Sequence, residues 1–100
     1  MSLDAITRDL QSRLGDFTGF GYRVAFDLGA AGVIAVDGTQ TPPRLSNEAG
    51  EAACTIRLAP EDMEKLMAGS LNPMLAYTLG KLKIDGSMGV AMKVASLLDE

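Results

Sequence analysis

The side chains of this 100-residue chain that could carry out catalysis are few and poorly placed for it. Histidine is absent, which excludes Ser-His-Asp and Cys-His nucleophile systems, histidine-ligated metals and imidazole bases. The single cysteine, Cys54, excludes an intrachain disulfide and a cysteine-rich zinc site. Because Cys54 shares the alternation of Ile56 and Leu58, it is expected in the core. We therefore predict a non-enzymatic protein with no catalytic residues, no metal site and no cofactor.

Two further motifs have structural explanations. Glu61 and Asp62 are adjacent carboxylates after a proline, and neighbouring helix positions point in different directions. Such a pair favours the positive end of a helix dipole over acid-base catalysis. The Gly19-Phe20-Gly21 segment lacks the third glycine of a dinucleotide-binding loop, since Val24 stands at that position. It is interpreted as a turn between a helix and a strand.

Lys81, Lys83 and Arg57 fall on the outward parity of two predicted strands. Lysine and arginine in this position are typical of a solvated sheet face. The alternative is a basic patch that attracts the phosphate of an anionic ligand, and both interpretations are open at this point.

The overall charge restricts the partners. The chain has 13 acidic and 9 basic residues and a net charge of −4, so it lacks the basic footprint of a nucleic-acid-binding protein. The same acidity predicts at most transient contact with anionic membranes. No apolar run approaches the ~20 residues that span a bilayer, and Asp4 near the start argues against a signal peptide. We expect a single domain over residues 1–100 and a cytoplasmic location.

The apolar pattern predicts the elements. Leu3, Ile6, Leu10 and Leu14 lie on one face of a first helix that stops at Gly15. Alternation predicts five strands, at 22–28, 33–37, 44–48 (the weakest pattern), 54–58 and 81–85. Further helices are expected from Pro60 to just before Gly69, at 74–79 and from about Met88 to Leu98. This order predicts an α+β fold, with helices on one face of a largely antiparallel sheet.

The last helix is apolar on two sides. One stripe comprises Met88, Ala91, Met92, Ala95 and Leu98, and a second comprises Val90, Val94 and Leu97. Five of the six methionines lie at or after Met63, and methionine is common at adaptable apolar surfaces. A domain of this size has little material to enclose such a helix. Its surplus face should therefore meet a ligand, a lipid or another subunit.

The second half of the chain carries two long motifs in order, Gly-Ser-Leu-Asn-Pro at 69–73 and Gly-Lys-Leu-Lys-Ile-Asp-Gly-Ser-Met-Gly-Val-Ala-Met-Lys at 80–93. They resemble the sterol carrier protein 2 family, also called the nonspecific lipid-transfer family. Over residues 1 to about 50 the likeness is one of element order. The resemblance implies a five-stranded mixed sheet with helices on one face, which enclose an apolar tunnel. Members that end in a peroxisomal tripeptide differ from this chain, and the small form looks bacterial.

The resemblance also implies the function, an intracellular carrier that takes fatty acids, fatty acyl-CoA or sterol-like lipids into the tunnel. The alternative is a non-catalytic accessory module, for example in quinone biosynthesis, whose last helix meets an enzyme or a second copy. The inward strand residues predicted for the tunnel wall are Val24, Phe26, Ile34, Val36, Leu82 and Ile84. The helical residues predicted for its roof are Met63, Leu66, Met67, Met74, Leu75, Leu79, Met88, Met92 and Ala95.

Overall fold

The computed structural model describes residues 3–48 and 50–98, and its elements follow the predicted order. The first half contains α1 (Leu3–Ser12), β1 (Arg23–Asp27), β2 (Val33–Asp37) and β3 (Arg44–Ser46). The second half contains β4 (Cys54–Leu58), α2 (Pro60–Met67), α3 (Pro73–Thr78), β5 (Leu82–Gly86) and α4 (Met88–Leu98). Short 3-10 turns lie at Leu14–Phe17 and Gly29–Ala31.

The five strands form one mixed sheet in the order β3-β2-β1-β4-β5. β1 runs parallel to β4, and the other neighbouring pairs are antiparallel. This arrangement confirms the predicted α+β class with a mostly antiparallel sheet. β1 is the central strand and β4 is its neighbour, so residues from both halves of the chain share the middle of the apolar face.

One face of the sheet is apolar because its apolar residues lie at matching positions across the strands. Phe26 of β1 lies opposite Ile34 of β2 and Ile56 of β4, and Ile56 lies opposite Ile84 of β5. Side chains in register across a sheet point to the same face. The neighbouring rows on that face contribute Val24, Val36, Cys54, Leu58 and Leu82. Of these residues only Ile84 is not fully buried.

The first helix is shorter than the sequence pattern predicts. α1 ends at Ser12, and the chain tightens into the turn Leu14–Phe17 instead of remaining helical up to Gly15. Phe17 is 1% exposed in this turn, whereas Leu14 is only partly buried. Phe17 therefore packs in the core although the regular helix ends at Ser12.

The strand boundaries also differ from the prediction. Tyr22 lies before β1 and is 37% exposed, so it does not share the buried parity of Val24. Its ring packs edge to face against Phe20, with 5.6 Å between the ring centroids. β3 covers three residues instead of five, and β5 begins at Leu82 and ends at Gly86.

The two helices after α2 begin where their capping residues predict. The Asn72 side-chain oxygen accepts hydrogen bonds from the backbone N–H groups of Met74 (2.9 Å) and Leu75 (3.2 Å). Pro73 takes the first helical position, where no N–H is needed. The Ser87 hydroxyl accepts from the Val90 N–H at 3.2 Å and caps α4 in the same way.

Gly86 sets the path from β5 into α4. Its φ is +97°, and a Cβ there would lie 2.5 Å from the Ala53 carbonyl oxygen. The next N–H, of Ser87, donates to that same carbonyl at 2.9 Å. A residue with a side chain would clash and be strained at this position, so glycine lets α4 turn back over the sheet.

Candidate functional site

An apolar cleft lies between the sheet, α3 and α4. Its volume is about 30 Å³, close to the share of one water molecule in the liquid. The residues that line it are Phe26, Ile56, Leu66, Pro73, Met74, Leu82, Ala91, Met92, Val94, Ala95 and Leu98. Each of these side chains is apolar, so the cleft favours the hydrocarbon portion of a ligand, which has no charge and no hydrogen-bonding groups.

α3 and α4 expose large apolar side chains beside this cleft. Met74 and Met92 line the cleft and are 52% and 42% exposed. Leu75 of α3, Leu79 at the C-cap of α3 and Met88 at the start of α4 are exposed as well. We call these five residues the mouth surface. A lone exposed apolar residue is ordinary, but five on two helices that flank one cleft indicate a contact surface.

The structure divides the predicted tunnel residues into three groups, with Ile84 outside all of them. Those that line the cleft are Phe26, Leu66, Met74, Leu82, Met92 and Ala95. Those buried in the core away from its lining are Val24, Ile34, Val36, Met63 and Met67. Leu75, Leu79 and Met88 lie on the mouth surface, and Ile84 is partly buried on β5. Contact with a lipid remains a prediction for all of them.

Five lining residues were not in the predicted set, namely Ile56, Pro73, Ala91, Val94 and Leu98. Ile56 has the inward parity of β4, and its pairing with Phe26 brings it to the middle of the sheet. Ala91 and Leu98 belong to the Met88 stripe of α4. Val94 belongs to the other stripe, so the lining takes residues from both.

The charged residues of β4 and β5 lie on the opposite face of the sheet. The Arg57 guanidinium contacts the Asp85 carboxylate at 2.9 Å and the Asp27 carboxylate at 3.8 Å. Lys83 lies opposite Arg57 in the sheet register. This placement favours the solvated-face interpretation of Arg57 and Lys83, because Arg57 is already paired and both residues face away from the cleft.

A larger depression of about 380 Å³ lies over Ala25 and Ala35 on the outward face. Its rim includes Arg23 and Asp37, whose side chains approach to 3.3 Å. Hydrogen bonds from Thr39 and Gln40 lower the pKa of Asp37 to about 2. Arg23, Asp37 and Gln40 at this rim are paired with one another, and the depression lacks the wholly apolar lining of the cleft.

The side chains considered for catalysis in the sequence lie where they stabilise the fold. Cys54 is fully buried, and burial raises the pKa of its thiol, which keeps it protonated and unreactive. Glu61 and Asp62 lie in the first turn of α2, as predicted. Within residues 3–48 and 50–98, no cluster of acidic and cysteine side chains could hold a metal ion.

None of the helices in the described part of the chain is both long and apolar enough to cross a membrane. The longest of them, α4, has 11 residues, about half the length that a bilayer requires.

Comparison with known proteins places this geometry in a family. The model of the SCP-2 sterol transfer family matches residues 3–99. Sterol carrier protein 2 of Bos taurus is 49% identical over 53 residues, which are 53% of this chain and 10% of that protein. The chain thus spans about a tenth of the length of this curated relative.

Solved structures share the fold at lower sequence identity. The sterol carrier protein 2 of Aedes aegypti, solved in complex with the C16 fatty acid palmitate, matches with a TM-score of 0.75 and 18% identity. The match covers 98% of this chain and 96% of that one. A structure described as a UbiJ-SCP2 ubiquinone synthesis protein matches with a TM-score of 0.65 and 19% identity, over 95% and 78% of the chains. These likenesses establish the fold.

Proposed function

The chain belongs to the SCP-2 sterol transfer family, and we propose that it carries a lipid whose apolar chain lies between the sheet and the helices α3 and α4. The observation that supports this most is the cleft, whose lining side chains are all apolar. The palmitate complex of the Aedes aegypti relative supports a fatty acid as one ligand. Fatty acyl-CoA and sterol-like lipids are further candidates.

Binding requires the cleft to widen. Ligand sites have volumes of about 300–1,000 Å³, whereas this cleft measures about 30 Å³. Pro73 and Met74 on α3 and Met92 and Ala95 on α4 belong to its lining, so separation of these helices opens it. Each methylene that enters is worth ~0.8 kcal/mol, which offsets the free energy needed to separate the two helices.

The carrier performs no chemical step. Among the described residues, no nucleophile, base and oxyanion donor come together, and the cleft contains no polar side chain to position a reacting bond. Transfer then consists of lipid entry, transport and release. We propose that the carrier acts in the cytoplasm, where the apolar part of a lipid must be kept out of water.

A second candidate is an accessory module that presents a lipid to an enzyme or assembles through the mouth surface. The likeness to the UbiJ-SCP2 ubiquinone synthesis protein supports it, as do the exposed Met88 and Leu79. Native mass spectrometry separates the two functions. A carrier retains lipid as a monomer, whereas an assembly module is found in complexes without lipid.

A cleft-filling variant tests the carrier function. Ala95 lines the cleft, while its neighbour Ser96 is exposed on the outer side of α4. We expect Ala95→Phe to lower the affinity of delipidated protein for a fluorescent fatty acid at least tenfold, because the ring occupies the ligand's space. Ser96→Phe, the matched control, should bind like wild type. Equal affinities for both variants would contradict the proposed site.

A further inference from the structure

The two edges of the sheet differ in their capacity to accept a further strand. β3 and β5 are the outer strands. β3 has three residues and directly follows Pro43, and proline has no N–H to donate to a neighbouring strand. β5 has five residues, Leu82–Gly86, and no proline. An edge strand of this kind presents backbone groups that another strand can pair with, so β5 is the better candidate for an interaction surface.

A shallow groove follows the free edge of β5. Its volume is about 550 Å³, and it is lined by four consecutive strand residues, from Leu82 to Asp85, together with Tyr77 and Thr78 of α3. Adjacent side chains of a strand point to opposite faces of the sheet. A depression lined by four residues in a row therefore lies at the edge of the sheet and leaves that edge accessible.

The charged residues of β5 are only partly paired. Lys83 and Asp85 are exposed on the outward face, and the Asp85 carboxylate contacts the Arg57 guanidinium at 2.9 Å. Among the described residues no acid pairs with Lys83, which lies opposite Arg57 in the register. Like charges directly opposite each other destabilise a pair of strands. An acid on the free side of Lys83 would therefore be stabilising.

A second copy of β5 supplies that acid in one register. In an antiparallel pair centred on Ile84, Lys83 of each copy lies opposite Asp85 of the other, so symmetry forms the contact twice. The neighbouring registers that keep the same face inward place Lys83 opposite Lys83 or Asp85 opposite Asp85. A charge on an edge strand usually prevents pairing with another copy, whereas the centred register makes the two charges partners.

The centred register also covers apolar surface. It brings the Ile84 side chains of the two copies together at the symmetry axis. Ile84 lies in the apolar row of Phe26 and Ile56 and is only partly buried, because no further strand covers it in the single chain.

We propose that β5 is a self-association edge at which two copies pair antiparallel about Ile84 and join their five-stranded sheets. A strand of another protein would need an acid and a base at matching positions, which a second copy has by symmetry. Five residues from each copy bury less than the roughly 1,000 Å² of a stable interface, so the pair is transient and dissociates on dilution. The proposal is independent of the carrier function.

Sedimentation of the protein at increasing concentration tests the proposal. Wild type should be a monomer when dilute and associate towards a dimer as its concentration approaches about 1 mM, since a small interface predicts weak affinity. Lys83→Asp and Asp85→Lys each place like charges opposite one another at two symmetric contacts. Each variant should therefore weaken the dimer at least about tenfold.

An equimolar mixture of these two variants is the sharper test. One strand is then acidic at both positions and the other basic, so the mixture should dimerise at least as well as wild type. Lys65→Asp and Glu51→Lys make the same charge changes at exposed sites away from β5. Each control, and their mixture, should sediment like wild type. A monomeric wild type, no recovery in the mixture of β5 variants, or equal recovery in the control mixture would overturn the proposal.

Concentration-dependent backbone amide NMR spectra of wild type test the same edge without a variant. The amide shifts of Leu82–Gly86 should change as the concentration rises, and those of Arg44–Ser46 at the other edge should not. Changes confined to β3, or to the mouth surface, would place the contact elsewhere and overturn the proposal.

Discussion

The α1–α2 half and the α3–α4 half of the helical layer use the same apolar residue types in opposite ways. In the first, Leu10 and Met63 are completely buried. In the second, Leu79 and Met92 are 59% and 42% exposed. The difference shows that apolar content alone does not separate core from contact surface. Packing partners do so, and the α3–α4 half has too few of them to cover its apolar side chains.

Direct contacts between α1 and α2 explain why the apolar side chains of the α1–α2 half are covered. The Arg13 guanidinium on α1's side donates a hydrogen bond to the carbonyl of Met67, the last residue of α2. This bond joins two helices that also contact each other directly. α3, by contrast, has six residues and only Ala76 is buried. A helix this short depends on its Asn72 cap and on the sheet for stability.

The largest expected difference comes from a carboxylate placed in each half. Leu10→Asp buries a charge at a site with no exposure, which should cost at least about 4 kcal/mol and unfold much of the protein. Met92→Asp places the same charge on a side chain 42% exposed. It should melt within a few degrees of wild type and lose fatty-acid binding, because one wall of the cleft becomes ionic.

Thermal melts and fatty-acid titrations on both variants check this contrast. If Met92→Asp melts as low as Leu10→Asp, or binds the fatty acid like wild type, the two halves do not differ as described.

A smaller effect is expected from two glycines on either side of the α4 cap. Gly86→Ala would bring a Cβ 2.5 Å from the Ala53 oxygen at a φ of +97°, and should destabilise the fold by about 1–3 kcal/mol. Gly89 lies within α4, where the nearest atom to a Cβ is the Ser87 hydroxyl oxygen at 3.8 Å. Gly89→Ala should stabilise the helix by up to about 1 kcal/mol.

Chemical denaturation measures both changes. Equal midpoints for Gly86→Ala and Gly89→Ala would mean that the junction between β5 and α4 is not fixed by its glycine.

The smallest expected effect is a pH-dependent change in stability. It concerns Asp37 at the end of β2, away from the mouth surface. The hydrogen bonds from Thr39 and Gln40 hold the pKa of Asp37 at about 2, below its ordinary value of 3.8. A lowered carboxyl pKa stabilises the fold above about pH 4, and this contribution disappears as the pH falls through about 2. Asp37→Asn should therefore lower the melting temperature slightly near neutral pH and by much less at pH 2.

Melting curves from pH 2 to pH 7 check this, with the exposed loop variant Glu51→Gln as control. The affinity for fatty acid should be the same for Asp37→Asn and wild type. A pH-independent difference in melting temperature would show that the Asp37 charge contributes nothing.

Much of the fold could be predicted because its signals are local. The bounds of β2 and the caps Asn72 and Ser87 depend on neighbouring residues, and the structure confirms them. The parallel pairing of β1 with β4 joins residues about 30 positions apart, and alternation carries no information on it. Parity therefore identified Phe26 and Val24 as inward, but could not tell that Phe26 lies under the cleft and Val24 does not.

The candidate site was harder to delimit for the same reason. The two stripes of α4 predicted a contact surface, and the exposure of Met88 and Met92 agrees with it. Ile56 was left out because its place at the cleft follows from its strand neighbours rather than from its own sequence context. Tyr22 was expected within the first strand, yet it lies before β1 and contacts Phe20 and Lys93.

The central claim is that an acyl chain enters between the sheet and the helices α3 and α4. Methyl NMR spectra recorded during titration with palmitate test it most directly. The account predicts large shifts for Ile56, Val94 and Leu98, which line the cleft, and small ones for Ile6 and Leu10 on the buried face of α1. Saturation near one palmitate per chain is expected. The largest shifts at Ile6 and Leu10, or no saturable shift at Ile56, Val94 and Leu98, would contradict it.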